Sequence, residues 1–408
     1  MPTIAVIGTF DTKGAEHRFV ADQIIQRGHQ VLLMDVGGHG GAQIEADITC
    51  EGVAAAAGLD LAALRAQNDR GAMVGAMSEA APVILAKLAA EGRIQGVISL
   101  GGTGGTAIGT AAMRALPLGF PKVMVSTVAA GNVAPYLGVK DIVMFPSLGD
   151  VAGLNRFSRA VFTRAAATVC ALAEANETMP KETDARPLIV ASMFGNTTQC
   201  VEHARQLLEA KGYEVLVFHA TGTGGRTMES LIESGVVAGV LDITTTEWAD
   251  ELVGGVLNAG PARLEAAARH GVPAIVTPGC LDMVNFGSPE SVPARFAGRT
   301  FYQHNPQVTL MRTTPAECAE LGRILAEKVN LSTGPVTVLL PVRAISIISA
   351  EDQPFHDPAA DAALFTAIKD KLRQDIPLIE LDCAINDAAF AEACVSALLG
   401  NIQHTSHS

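Results

Sequence analysis

Short apolar runs that end in Gly, Ser, Thr or Asp recur along this chain, with stretches of helical spacing between them. In the first half the runs are Ile4–Gly8, Val31–Val36, Gly96–Leu100, Val123–Thr127 and Ile142–Phe145. In the second half they are Leu188–Met193, Val215–His219, Gly239–Ile243, Ala274–Thr277, Val336–Leu340 and Leu378–Asp382. Most are β-branched and nearly continuous in hydrophobicity, without the polar alternation of a strand that keeps one face wet. Strands buried on both faces read this way, which means a parallel sheet covered by helices. Stretches such as Ala15–Arg27, Val201–Lys211 and Glu251–His270 carry the helical spacing. Strand and helix in alternation make the fold α/β with right-handed crossovers.

The two halves repeat one another. Ile4–Gly37 pairs with Leu188–Gly222: in each, a strand ends in Phe (Phe10, Phe194), a polar loop and a helix follow, a Gly closes the helix (Gly28, Gly212), and a second strand begins. Further on, Gly96–Ile98 parallels Gly239–Leu241, and Pro121–Thr127 parallels Pro273–Gly279. The expectation is therefore two Rossmann-like lobes with parallel sheets flanked by helices, related by an internal repeat. The first occupies 1–180 and carries a helical insertion at about 38–93. The second occupies 187–408. The polar, aperiodic segment 176–186, which contains Pro180, reads as the linker.

Composition narrows the class of partner. Apolar residues make up 49% of the chain and charged residues 17%, enough to build large cores. The net charge of −13 speaks against nucleic acid. It is uneven: residues 1–180 hold 13 Lys and Arg against 15 Asp and Glu, so an anionic ligand is easier to place in the first half. Seven cysteines without a CxxC spacing argue against a disulfide framework or a structural zinc site and fit a reducing cytoplasm. Asp11 and Lys13 in the first apolar stretch exclude a signal peptide, and no run approaches the roughly 18 apolar residues of a membrane span.

The loops at the strand ends hold the chemistry. Gly101-Gly102-Thr103-Gly104-Gly105-Thr106 follows one buried run and opens a helix over Ala107–Leu116. Backbone N–H groups at a helix N-terminus bind anions, and four glycines are more than a tight turn needs. The spacing is neither a P-loop nor a strict GxGxxG, which disfavours a nicotinamide cofactor. Thr9-Phe10-Asp11-Thr12-Lys13 follows the first strand. Lys13 can meet a phosphate, and Asp11 can hold Mg²⁺ as one of the few carboxylates such an ion takes beside substrate phosphates. The same residues also read as an ordinary helix cap. Asp35, at the end of the second strand, stands where ribose hydroxyls are bound in dinucleotide folds. Ser126 and Thr127 end the fourth strand beside the same crevice.

The second lobe presents a further glycine loop, Gly222-Thr223-Gly224-Gly225-Arg226, whose guanidinium suits an anion. Asp242 and Glu247 can ligate a metal or move protons, although Thr244–Glu247 also reads as a capping box. Cys280 reads as a core residue. His304, Asn305, Arg312 and His356 are polar positions that can converge on one ligand. The absence of HxxxH and HExxH counts against zinc, and the absence of GxSxG counts against a hydrolase elbow.

Ten stretches together carry a resemblance that spans nearly the whole chain. They are Ile7–Lys13, Gly101–Thr106, Met113–Ala129, Val151–Arg159, Met193–Thr198, Phe218–Arg226, Thr244–Leu257, Leu281–Gly287, Tyr302–Thr314 and Pro354–Pro358. The sequence resembles the Tm-one-like ATP-binding domain family, an uncharacterised family that includes the N-terminal region of the plant tomato mosaic virus resistance protein. The resemblance implies two Rossmann-like domains, ATP bound in the first, and self-association as a homodimer or higher oligomer. In the plant relative such a region is fused to a TIM-barrel-like domain, so a barrel partner here would be a separate protein. The resemblance supplies no reaction. The leading expectation is a cytoplasmic, ATP-binding, Mg²⁺-dependent enzyme acting on a small anionic metabolite between two lobes, with Asp242, Glu247 and His304 as catalytic candidates. The alternatives are a nucleotide sensor or scaffold without turnover and a metal-free isomerase or lyase acting on a sugar phosphate.

Overall fold

In the computed structural model the described residues, 1–179 and 186–405, divide into two compact units, Met1–Glu182 and Thr183–Ser408. The first unit is built on β1 (Thr3–Gly8), α1 (Phe10–Ile25) and β2 (Gln30–Asp35). Three helices follow, α2 (Cys50–Ala56), α3 (Leu61–Gln67) and α4 (Arg70–Ala90), then β3 (Gly96–Gly101), α5 (Thr103–Arg114), β4 (Lys122–Ser126), α6 (Ala134–Leu137), β5 (Val143–Pro146) and α7 (Arg156–Thr178). The sheet is parallel in the order β2-β1-β3-β4-β5. Every residue of β3 and β4 is buried, which is why both runs read as nearly continuous apolar sequence, interrupted by the buried polar Ser99, Lys122 and Ser126. One face of the sheet packs on α1 and α7 through Phe10, Val20, Phe162 and Val169. The other packs on the insertion and α5 through Met73, Met77, Leu85, Ile108 and Met113. Helix α4 is long and apolar enough to cross a membrane by length and composition, yet Met77, Ala80, Ala81 and Leu85 are buried in this core.

The second unit repeats the plan with β6 (Leu188–Met193), α8 (Thr198–Ala210), β7 (Glu214–His219), α9 (Thr223–Glu233), β8 (Val237–Thr244), α10 (Glu247–Val253), α11 (Glu265–His270) and β9 (Ala274–Gly279). Then come β10 (Met283–Phe286), β11 (Phe301–Asn305), β12 (Val308–Arg312), α12 (Pro315–Val329), β13 (Val336–Pro341), α13 (Pro358–Lys371), β14 (Leu378–Leu381) and α14 (Ala388–Thr405). Its main sheet runs β7-β6-β8-β9-β13-β14, the order of the first sheet with one strand added. The repeat read in the sequence is thus a repeat of topology.

Two features depart from the sequence reading. A three-stranded antiparallel sheet, β10-β12-β11, interrupts the second unit. The helix expected over Glu251–His270 is two short helices, because the chain breaks at Gly254 (φ 97°) and again at Gly260 (φ 84°) before Pro261. In the proposed linker 176–186, residues 176–178 end α7 and residues 180–185 lie outside the described residues.

Candidate functional site

Strand β1 leads to β2 on one side of the first sheet, and β3 leads to β4 on the other. The loops after β1 and β3 therefore diverge, and ligands of open α/β sheets bind at such a switch point. A cleft of about 370 Å³ opens there. Thr9, Asp11, Thr12 and Lys13 line it from the start of α1, and Gly102, Gly104 and Gly105 from the start of α5. Val36, Met73, Val74 and Ile108 form an apolar wall. Arg70, at the first residue of α4, adds a second cation that the sequence reading did not single out.

The α5 terminus is open. Its N-cap is Gly102, and no side chain caps it, so the first-turn N–H groups of Thr103, Gly104 and Gly105 have no intrahelical acceptor. None of the four glycines has a positive φ, so a left-handed turn does not explain them. Packing explains one. A Cβ on Gly101 would lie 2.8 Å from the Gly105 backbone, whereas one on Gly102 would meet nothing nearer than Thr127 Oγ1 at 3.9 Å. On Gly105 it would stand 3.5 Å from Leu100 O, an ordinary contact, and on Gly104 it would face Val74 of the cleft wall at 3.3 Å. Gly102 and Gly105, which protein packing can spare, and Gly104, whose Cβ would press only on a side chain of the cleft wall, are the three that line the cleft.

The loop after β1 is fixed by Asp35, which is buried and whose Oδ1 accepts from Phe10 N at 3.0 Å and Gly37 N at 2.8 Å. Burial pushes its carboxyl up from the usual range. Asp35 thus ties the loops after β1 and β2 together instead of standing at the cleft wall as a ribose ligand. Lys13 departs from helical geometry within α1 (φ −133°, ψ 28°), and its ammonium donates to Val151 O, leaving further protons for a ligand. Asp11 accepts from His39 N at 3.2 Å through Oδ2, while its Oδ1 is buried without a partner. Asp11 lines the cleft with Lys13, Arg70 and the open N–H groups, and its unsatisfied oxygen fits a phosphate-bound Mg²⁺. Among the described residues no three His, Cys, Asp or Glu side chains gather as a metal cluster, so such an ion would complete its shell from phosphate and water.

Not every hydroxyl expected at the site reaches it. Thr106 and Ser126 are fully buried and bond to each other at 2.6 Å, and Ser126 Oγ also accepts from Val128 N, so both brace the loop from behind. Thr103 is exposed at the helix start, and Thr127 lines a neighbouring pocket.

The second unit corrects the reading of its glycine loop. The seat formed by Gly222 to Gly225, at the start of α9, is filled by the chain's own Glu247. Its Oε1 accepts from Gly222 N at 2.7 Å and Gly225 N at 3.0 Å. A Cβ on Gly225 would lie 2.1 Å from Glu247 Oε2, so this glycine is required by an internal carboxylate. Glu247 is held in turn by Arg263 Nε at 2.7 Å, and Arg263 also pairs with Asp242 through two 2.6 Å bonds and with Glu229 at 3.0 Å. Asp242, Glu247 and Arg263 are all at least 98% buried. The carboxylates expected to act on a substrate are therefore members of a closed ion network, beyond the reach of solvent. Thr223 and Gly224 belong to the same helix start, and Arg226 is exposed, turned toward Asn258 O and Thr223 Oγ1 at 3.4 Å each.

Of the remaining polar positions, Arg312 and His356 come together around Asp361, with Arg312 also donating to Asp357 O at 3.3 Å, whereas Asn305 is exposed on β11. His304 is exposed on β11, Arg312 is buried against Asp361 at 2.6 Å, and His356 is exposed near Ser349 O. Cys280 is buried, and burial holds its thiol well above the usual range, as a core cysteine requires.

Comparison with known proteins matches both units to one family. The N-terminal domain of the uncharacterised protein family UPF0261 matches residues 2–178, and its C-terminal domain matches residues 186–402. A UPF0261 protein of Clostridium tetani is 45% identical over 98% of this chain and 99% of its own length. One from Rhizobium meliloti is 49% identical over 97% and 98%. The ToMV resistance protein Tm-1(GCR237) of Solanum lycopersicum is 41% identical over 81% of this chain and 44% of that protein.

Proposed function

Since the chain belongs to the uncharacterised protein family UPF0261, in which no activity comes with membership, we propose from the site itself that the first unit binds ATP with Mg²⁺. The observation that carries this reading is the uncapped, glycine-lined start of α5 sharing one cleft with Lys13, Arg70 and Asp11, whose Oδ1 has no partner. Phosphates would lie on the N–H groups of Gly104 and Gly105, where the helix dipole favours negative charge. Lys13 and Arg70 would neutralise the remaining phosphate charge, and Asp11 would hold the ion. The apolar wall of Val36, Met73 and Val74 suits the base. Bound Mg²⁺ supplies charge neutralisation and positioning, which phosphoryl-transfer chemistry chiefly needs.

The reading is of an enzyme whose chemistry lies at this cleft. The expected seat for an anionic metabolite in the second unit holds Glu247, so that unit does not enter the proposal as a second anion site. Self-association and a TIM-barrel-like partner remain part of the proposal on the family resemblance alone, and a cytoplasmic setting on the cysteine usage. A thermal-shift screen of nucleotides and sugar phosphates with and without Mg²⁺ tests the reading, because a ligand of the native state raises the melting temperature. ATP with Mg²⁺ should stabilise the protein more than adenosine. Stabilisation by sugar phosphates alone would reject it.

A further inference from the structure

Beside the nucleotide cleft, at the carboxyl ends of β4 and β5, lies a second pocket of about 590 Å³ lined by Thr127, Ala130, Pro146, Ser147, Leu148, Gly149 and Asp150. Three observations set it apart from surface irregularity. Asp150 lines both this pocket and the cleft, so the two share a wall. Its floor is tied to the glycine loop, since Thr127 N donates to Gly101 O at 3.2 Å and Ser147 N to Ser126 O at 3.1 Å. Further, Leu148 stands at its rim 77% exposed with φ 62°. A leucine in the left-handed region costs about 1–2 kcal/mol, and exposing its side chain offsets none of that. Folding alone gives no reason for such a residue. A ligand that covers it does.

We propose that this pocket seats the second substrate, an uncharged, hydroxyl-rich small molecule of the polyol or sugar class, next to the nucleotide phosphates. The inference rests on the nucleotide reading of the adjacent cleft. The lining contains no cation, so an anion would find no counter-charge there, while the Asp150 carboxylate accepts hydrogen bonds from hydroxyls. The Thr127 hydroxyl and the loop backbone add further partners. Leu148 and Pro146 offer apolar surface to the C–H face of a sugar. Asp150, on the shared wall, would hold one substrate hydroxyl between the two seats.

The test uses the full chain loaded with AMPPNP and Mg²⁺, with glycerol, D-ribose, D-glucose and myo-inositol as probes, read by calorimetry and by saturation-transfer NMR. At least one probe should bind, and Asp150→Asn should weaken it at least tenfold. Ala130→Phe, which fills this pocket and lies outside the cleft lining, should abolish probe binding and leave AMPPNP affinity within about twofold. If AMPPNP binds and no probe does, or if citrate binds there better than every probe, the inference is overturned. If probes bind but AMPPNP does not, the nucleotide reading fails while the second seat stands.

Discussion

Removing Glu247 should unmask an anion seat in the second unit. Glu247→Ala deletes two backbone hydrogen bonds, from Gly222 and Gly225, and one charge-assisted bond from Arg263. Arg263 keeps Asp242 and Glu229, so the charge left behind is not orphaned, but two buried N–H groups are. Leaving two buried N–H groups unpaired, at about 1–3 kcal/mol each, costs about 2–6 kcal/mol. With a urea m-value near 3 kcal/mol/M, the unfolding midpoint of this unit should fall by about 0.7–2 M. The same vacancy would now face any small carboxylate with two N–H donors and a guanidinium. Formate at a hundred times its dissociation constant would return about 2.7 kcal/mol, whereas chloride at matched ionic strength should not. Urea titrations of wild type and variant, each in formate and in chloride, measure both effects. A midpoint shift below about 0.3 M, or recovery that does not distinguish formate from chloride, would refute the claim that the loop is built around its own carboxylate.

Gly104→Val should leave the protein folded with a small change in stability, since valine is no worse than glycine in a helix while its Cβ would press on the Val74 methyl at 3.3 Å, yet weaken ATP about ten- to a hundred-fold by filling the phosphate seat; calorimetry and thermal unfolding of one sample read both. Lys13→Ala should weaken ATP about tenfold and spare adenosine, and Asp11→Asn should flatten the Mg²⁺ dependence of ATP binding; wild-type behaviour of both variants would reduce this loop to a helix cap. Burial pushes Asp250 up to about 7 from an ordinary 3.8, with Asn285 N and Nδ2 bonded to its oxygens working against the rise. The native state then binds the extra proton between about pH 4 and 7, so stability falls as pH rises through that window. Asp250→Asn should lessen that fall, measured by urea unfolding at pH 5 and pH 7, with part of the slope retained by Asp282, which burial raises to about 6; an unchanged slope would place the titration elsewhere.

The fold was legible where burial made the sequence uniform. Strands such as β3 and β6, covered on both sides, read as continuous β-branched runs, and the repeat of strand, helix, Gly and strand survived in both sheets. The antiparallel β10-β12-β11 sheet escaped notice because β11 is largely exposed, so Phe301–Asn305 carries too little apolar patterning to stand out. At the site, Gly102, Gly104, Gly105, Asp11 and Lys13 were legible because they adjoin strand ends. Arg70 was not, since a surface arginine opening a helix looks like any other, and only the fold of the insertion brings it to the cleft. The second glycine loop misled for a physical reason. Backbone N–H groups bind an internal carboxylate as readily as an external phosphate, and nothing in the local sequence tells that Glu247, which opens α10 after β8, fills the seat at the end of β7, with β6 between the two strands.

Calorimetric titration of the wild-type chain with ATP, ADP, AMP and adenosine at fixed Mg²⁺ tests the central claim most directly. A phosphate-reading cleft in the first unit, with the glycine loop of the second unit closed by Glu247, predicts one ATP per chain and an affinity that falls stepwise as phosphates are removed. Adenosine binding as tightly as ATP, or two equivalent ATP per chain, would contradict it.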